Sequence, residues 1–270
     1  SVTLGWVVGR IILVVVVAHA LLIGAAMCVW AERRVSAWMQ DRLGPNRVGP
    51  QGLLQPIADL GKFIFKEDFI PGHVNRVMYT LAPMMSVIPA LVTFAVIPYT
   101  GQVVDGRYES FQIADINIGI LYILAITSLG VYGITLGGWA SNSKYSLLGG
   151  VRSSAQMISY ELSLGLAIVS LVLLVGSLRL GDFIQYQADT TWFVFQQPLA
   201  FFIFLVSAYA ETNRLPFDLP EAETELVAGY HTEYPAMKFA AFFLAEYIAM
   251  ITASALVVTL FCGGWTLFGI

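Results

Sequence analysis

Six of the chain's 18 carboxylates, Glu211, Asp218, Glu221, Glu223, Glu225 and Glu233, fall within residues 211–235, ETNRLPFDLPEAETELVAGYHTEYP. Arg214 is the single Lys or Arg among them. Carboxylates crowded together do not all ionise cheaply, so some hold a proton near neutral pH, and acids that share protons can relay them. Ordinary helix chemistry accounts for only part of the set. Asp218 followed three residues later by Glu221 matches a capping arrangement, and acids in a first helical turn are favoured by the helix dipole. On a helix Glu221 and Glu225 would sit at i, i+4, where like charges repel. A solvated acidic loop is the simplest alternative. Against it stand the interleaved apolar residues Leu215, Pro216, Phe217, Leu219, Pro220, Leu226 and Val227, which predict that the segment folds back on protein or membrane.

Two further acids lie inside apolar runs: Glu161, nine residues past Arg152, and Glu246, seven residues past Phe239. At bilayer depth a charged acid costs at least about 2.5–3.5 kcal/mol on insertion scales, so such a residue either has a fixed partner or handles protons. Tyr160 and Tyr247 adjoin these acids, but adjacent residues point to different helix faces.

A third set of groups sits in residues 32–76, which include ERRVSAWMQDRLGPNRVGPQGLLQPIADLGKFIFKEDFIPG. Gly44-Pro45-Asn46 and Gly49-Pro50 predict stiff turns, and Pro56 suits the first turn of a helix. That helix would carry Ile57, Leu60 and Ile64 on one face and Asp59, Lys62 and Lys66 on another, the pattern of a helix lying in the membrane interface. It is either a surface anchor or one wall of a cleft that admits a lipid-like molecule, whose polar head would meet Arg33, Arg42, Asp59 and Lys62. Stiff turns favour the cleft, since an anchor needs no rigid geometry. His73 and His231 read as ordinary loop residues, because neither has a second ligand at metal-site spacing. Cys28 and Cys262 lie in apolar runs and read as small buried hydrophobes.

The elements that must position these groups are membrane helices. The chain is 57% hydrophobic with 12% charged residues, about half the charged share of soluble domains. A net charge of −4 excludes a basic nucleic-acid surface. A span needs about 20 apolar residues, and six windows qualify: 11–31, 77–104, 116–143, 153–178, 190–210 and 239–270, the last breaking at Gly263-Gly264. The first window lacks a small-residue cleavage site and runs into Glu32-Arg33-Arg34, as a first span does rather than a signal peptide. Six spans put residues 32–76, 140–152 and 211–238 on one side with 11 of the 14 bases, leaving Arg10, Arg107 and Arg179 on the other. The excess of bases marks the first side as the inside and the N-terminus as outside. Gly133 and Gly137 have the small-xxx-small spacing of a close helix contact, and Pro83, Pro89 and Pro98 predict a bent second span. The expectation is an all-α polytopic membrane bundle, one domain over 1–270, with an interfacial amphipathic helix in the 32–76 loop and an acidic inside loop at 211–238.

Three long stretches together, AERRVSAWMQDRLGPNRVGPQGLLQPIADLGKFIFKED, GWASNSKYSLLGGVRSSAQMISYE and AETNRLPFDLPEAETELVAGYHTEYPAMKFAAFFLAEY, resemble the family of quinone-site membrane subunits of respiratory complex I. These are the H-type subunits of bacterial NADH:quinone oxidoreductase and subunit 1 of the mitochondrial enzyme. The resemblance implies a subunit where the membrane arm meets the peripheral arm. Its substrate would be a quinone (ubiquinone or menaquinone) entering sideways from the bilayer. It implies no metal or flavin on this chain, with the FMN and iron–sulfur clusters in partner subunits. The partners would be the peripheral-arm quinone-site and iron–sulfur subunits, small membrane subunits, antiporter-like subunits and lipid, in a bacterial cytoplasmic or organellar inner membrane. Position by position, it implies Arg33, Arg42, Asp59 and Lys62 along the quinone cavity, with Phe242 and Phe243 as apolar wall. It also implies a proton path through Glu161, Glu211, Asp218, Glu221, Glu223, Glu225, Glu233 and Glu246, with Arg214 as counter-charge. Members usually continue to two more spans, so eight are expected where this chain, ending at Ile270, would show six. The alternatives open on sequence grounds are a membrane subunit of an energy-converting hydrogenase and a free-standing proton or cation carrier.

Overall fold

A computed structural model describes residues 4–104, 107–221 and 223–266; the side chains of Leu4, Trp6, Val104, Arg107, Glu223 and Thr224 fall outside the described set. Five helices are long and apolar enough to cross a membrane. They are α1 (Leu4–Met39), α3 (Arg76–Thr93), α4 (Gly119–Ala140), α5 (Lys144–Val175) and α10 (Ala236–Phe261). The shorter helices are α2 (Gln55–Phe65), α6 (Leu180–Asp189), α7 (Phe193–Gln196), α8 (Pro198–Glu211) and α9 (Glu223–Leu226). A single two-stranded antiparallel ribbon, β1 (Thr100–Val104) on β2 (Arg107–Phe111), completes the described chain, with Thr100 opposite Phe111 and Val103 opposite Tyr108.

Two of the six windows fold differently from their composition. The 77–104 window contains no charge, yet its helix stops at Thr93, continues as a 3-10 turn over Phe94–Val96, and gives way to strand β1. Pro98 therefore lies beyond the helix and bends nothing in it, whereas Pro83 and Pro89 are inside α3 and buried. The 190–210 window splits at Gln197, which holds a non-helical φ of −132° and ψ of 59°. Pro198 disfavours a helical residue before it and has no N–H to extend α7. What remains is α8, 14 residues, about 21 Å at 1.5 Å per residue. By contrast α5, with 32 residues, is ~48 Å long and exceeds a hydrocarbon layer of about 30 Å. Gly176, with φ +74°, ends it in the left-handed conformation that glycine adopts freely. At the other expected break, α10 ends at Phe261 and the backbone turns through Gly263 (φ +79°) and Gly264 (φ +64°). The last four residues of the 239–270 window lie outside the described set.

The bundle has two opposite ends. At one, Arg10 donates to the Gln112 and Ile113 carbonyls, Arg179 binds Asp115, and Tyr108 of the ribbon packs on Trp265. There Gln187 of α6 donates to the Thr259 carbonyl and accepts from the Gly263 amide, tying α6 to the end of α10. At the other end, Arg33 meets Asp59, Arg152 meets Glu225, and Lys238 meets Asp68. Segments 32–76, 140–152 and 211–238 gather here, although only five helices, rather than the six windows expected, are long and apolar enough to cross a membrane among the described residues. Between the ends, three apolar cores hold the helices. One centres on Leu171, Phe183, Phe204 and Phe261, the second on Tyr79, Ile134, Tyr230 and Phe242, and the third joins Ala25 of α1 to Tyr247 and Ile248 of α10. Small residues set the closest approaches. A Cβ on Gly133 would lie 2.8 Å from the Ser86 backbone of α3, and one on Gly138 would lie 2.5 Å from the Ser146 carbonyl of α5. The Gly133–Gly137 spacing thus marks a real helix contact. Cys28 and Cys262 are free thiols in apolar surroundings.

Candidate functional site

The basic groups of the 32–76 loop are set by the end of α1 and by the stiff turns after it. Arg34 donates to the Pro45 carbonyl at 2.8 Å, which locks the Gly44-Pro45 corner against α1. Gly52 (φ +75°) lies so close to that corner that a Cβ would stand 2.1 Å from the Pro45 carbonyl oxygen. A pocket of about 380 Å³ opens here, lined by Glu32, Arg33, Ser36, Ala37, Arg42, Leu43, Gly44 and Pro45. Arg33 reaches across to Asp59 of α2 at 2.6 Å, and Gln55 donates to the other Asp59 oxygen at 3.3 Å. Helix α2 starts at Gln55-Pro56 as expected, and Ile57, Leu60 and Ile64 are all exposed. An exposed apolar stripe on an 11-residue amphipathic helix fits a helix lying at the membrane surface. Lys62 of that helix lies over the Phe63 ring at 4.6 Å, and Phe63 contacts Phe239 of α10.

Phe242 and Phe243 are not neighbours of that pocket. Phe242 is fully buried and packs edge-on against Tyr230 and Tyr234. It lines a separate interior cavity of about 110 Å³ among α3, α4, α5, α8 and α10, in which Glu211 and Glu246 also take part. Phe243 packs against Phe239 and His231.

The acidic segment folds back on the bundle through close backbone contact. Gly149 of α5 faces Gly229 so tightly that a Cβ would meet the Gly229 Cα at 2.6 Å. Gln156 of α5 donates to the Ala210 and Phe217 carbonyls and to Asn213 Oδ1, at 2.8–3.1 Å. Of the interleaved apolar residues, Pro220 and Leu226 are buried and Phe217 packs on Tyr160, whereas Leu215, Leu219 and Val227 are exposed, so the expected folding back against protein holds for only part of the set. The segment forms 3-10 turns at Leu219–Glu221 and Gly229–His231 around the four-residue α9. The i, i+4 stacking expected for Glu221 and Glu225 therefore does not form. Glu221 is turned inward beside His231 at 3.5 Å, while Glu225 points out to Arg152 at 2.8 Å. Asp218 caps its turn with its backbone, accepting from the Glu221 amide at 3.0 Å.

From there the titratable groups line up toward α10 and α1. Tyr230 donates to Glu246 at 3.1 Å. Burial pushes the Tyr230 phenol well above its usual 10, and the Glu246 and Glu221 charges push the same way, so it remains a donor. Tyr247 donates to Glu32 at 2.8 Å. Arg214 pairs with the same Glu32 and stacks on the Tyr247 ring at 4.6 Å. Glu246 feels the charges of Glu221, Arg214 and Glu32, and Glu211 feels that of Glu161. Glu233 lies 3.8 Å from His73, and its carbonyl accepts from Tyr79. The Glu223 side chain lies outside the described residues.

Several members of this constellation carried no separate signal in the sequence. Glu32 looked like the charged end of a span, and His231 like an ordinary loop residue. Tyr230, rather than the adjacent Tyr247, is the partner of Glu246. Tyr160 packs on Phe217 rather than serving Glu161. The signal for Glu32 lies in distance along the chain: its two partners are 182 and 215 residues away. Among the described residues, no group of three or more His, Cys, Asp or Glu side chains is arranged to hold a metal ion.

The arrangement defines a polytopic membrane protein with a basic, partly open pocket at one end and a folded-in line of acids beside it. The chain belongs to the NADH dehydrogenase family, whose model matches residues 11–270. It is 57% identical to the first of the H-type subunits of NADH-quinone oxidoreductase in Geobacter metallireducens over 242 residues, covering 89% of this chain and 73% of that one. It is 54% identical to the second H-type subunit of the same enzyme in Koribacter versatilis over 271 residues, covering 95% and 77%. It is 55% identical to NADH-quinone oxidoreductase subunit 8 of Rhodothermus marinus over 253 residues, covering 92% and 72%.

Proposed function

We propose that the chain is the membrane subunit of a proton-pumping NADH:quinone oxidoreductase that receives the quinone and couples its reduction to proton movement. The single observation that carries this reading is the pocket lined by Glu32, Arg33 and Arg42, directly beside the Arg214–Glu32–Tyr247 and Tyr230–Glu246 links. A polar headgroup in that pocket sits next to Glu32, and Glu32 belongs to the acid network. Reduction of a quinone by two electrons demands two protons, so charge at the headgroup bears directly on these acids. Arg33 and Arg42 supply donors for the quinone oxygens, Asp59 orients Arg33, and Lys62 adds positive charge from α2. Phe243 contributes an apolar face beside His231 and Phe239, away from that pocket. Phe242 acts from the interior cavity, whose lining it shares with Tyr230, Glu211 and Glu246. Glu161, Glu211, Asp218, Glu221, Glu223, Glu225, Glu233 and Glu246 form the acidic path, and Arg214 is its counter-charge.

In this reading residues 32–76 and 211–238 are the two functional segments of one membrane domain. The end that carries them faces the cytoplasm or matrix, because it bears 11 of the 14 bases. FMN and iron–sulfur clusters reside in partner subunits, which dock on this end, and antiporter-like subunits receive the coupled charge. The hydrogenase and carrier alternatives are not favoured, since the relatives above carry NADH-quinone oxidoreductase names over most of the chain.

The test is extraction in mild detergent through a tag on this chain. Co-purifying subunits are identified by mass spectrometry, and NADH:quinone activity is measured on the same sample. A flavoprotein and iron–sulfur subunits with NADH:quinone activity are expected. A nickel–iron hydrogenase partner without quinone activity would overturn the reading.

A further inference from the structure

The charges around Glu246 do not balance. The charges of Glu221 and Glu32 both act on Glu246, and Arg214, bound to Glu32, is the cation whose charge reaches Glu246. Three of the bases at this end are paired elsewhere: Arg33 with Asp59, Arg152 with Glu225, and Lys238 with Asp68. Arg34 is taken up by the Pro45 and Gln51 carbonyls. Buried carboxylates need a proton or a cation for each charge.

His231 is placed to supply one. Its side chain is 7% exposed, and that of Glu221 is 14% exposed, with 3.5 Å between Nε2 and the nearer carboxylate oxygen. Both ring nitrogens of His231 and the other Glu221 oxygen are buried without a hydrogen-bond partner. Buried polar atoms are nearly always paired, so three orphans in one spot call for a partner, and a proton shared between His231 and Glu221 would supply it. The ring is held edge-on by Tyr230 and Phe239 and tilted against Phe243, which fixes its position while leaving its nitrogens free.

We propose that Glu221 and His231 form a proton-binding site that loads and unloads one proton during the coupled reaction. This rests on the proposed function and deepens it. On loading, a proton bonds to the pair. The carboxylic acid O–H of Glu221 breaks as the His231 Nε2–H forms, leaving a carboxylate beside an imidazolium. The pair's charge rises by one, and the field at Glu246 falls accordingly. The groups that bear on this site are Glu221 from the preceding 3-10 turn, Tyr230 and Glu246 behind it, and Arg214 and Glu32 beyond Glu246. From α5 comes Arg152, engaged by Glu225. From α3 comes Tyr79, which donates to the Glu233 carbonyl. At the end of α4, Tyr234 donates to the Gly137 carbonyl. An imidazole is suited to the task because its charge changes between about pH 5 and 8.

The test uses the assembled complex in proteoliposomes, with H231N, H231Q, E221Q and the H231N/E221Q double variant. Quinone-linked proton translocation is followed from pH 5.5 to 9, with assembly checked by co-purification. In the wild type, translocation falls as the imidazole loses its proton; in H231N and H231Q that limb is absent. The expected rate at pH 7 is at least about tenfold lower, short of the ~100-fold of a fully rate-limiting acid–base group. The double variant should lose no more than either single one. H231N or H231Q complexes that assemble and keep both the wild-type rate and the limb would overturn the inference. If neither assembles, hydrogen–deuterium exchange at the His231 ring C2 of wild-type complex decides it. A ring that titrates in this range supports the site, and a ring that stays neutral throughout sinks it. Absence of NADH:quinone activity in the wild type would instead sink the proposed function.

Discussion

Arg179 and Asp115 show how one pair acts at the end of the bundle opposite the acids. Arg179 grips Asp115 through two donors, Nε and Nη2, and Gln112 adds a further hydrogen bond at 2.8 Å. The Arg179 hydrogen bonds hold the Asp115 carboxyl below its ordinary 3.8, against the opposing effect of partial desolvation. A carboxyl lowered on folding stabilises the folded state above its unfolded value, and that stability drains away as pH falls through the lower folded value. Both partners are well exposed, so the effect is local and modest. Backbone amides of 107–113 should therefore exchange faster as pH drops below about 4, after correction for intrinsic rates. In D115N that acid limb should be missing and exchange fast throughout. Identical profiles in the two proteins would remove the pair from this role. None of this pairing was visible from composition, because Asp115 and Arg179 are 64 residues apart.

At the scale of elements, the acidic segment is positioned by what the helices lack rather than by what they carry. Gly149 has no side chain, and so the Gly229–His231 turn can lie on α5 backbone to backbone. G149A must push one of two backbones, at a cost of about 1–3 kcal/mol for overpacking. Gly165 on the same helix has nothing within 4 Å of an added Cβ. G165A should be neutral or stabilising by up to ~1 kcal/mol, since glycine is a poor helix former. The thermal midpoint of the purified complex separates the two substitutions. Equal midpoints for G149A and wild type would mean that the turn does not need this contact. The amphipathic character of α2 and its start at Pro56 were legible in the sequence, because both depend on residues within one or two turns. The early end of α3 and the split between α7 and α8 were not legible in a charge count. A strand and a proline break look the same as a span to a measure that registers only apolar content.

For the whole molecule, the two ends differ in kind. One end holds the ribbon, Arg10 and the Asp115–Arg179 pair, and the other holds the pocket and the acids. Thiol labelling tests their sidedness in a background where Cys28 and Cys262 are replaced by alanine. A cysteine at exposed Gln102 should react with an impermeant reagent from the outside of intact cells. One at exposed Leu219 should react only in inverted vesicles. Labelling of both from the same side would refute the alternation of spans, and the reverse assignment would refute the inside placement of the acids.

The sequence by itself determined that this is a membrane bundle and which segments bear charge. It also determined that Glu161 and Glu246 sit within spans, because hydrophobicity and charge act locally and add along the chain. The three stretches that carry the family resemblance were equally legible, since a motif is a property of order. Only the tertiary structure decided which acids meet. Glu32 joins Arg214 and Tyr247, Tyr230 serves Glu246, and Glu221 parts from Glu225 to face His231. Those meetings depend on helices crossing at glycines and on turns too short to keep a helical face. Partners brought together from distant parts of the chain leave no mark in local spacing.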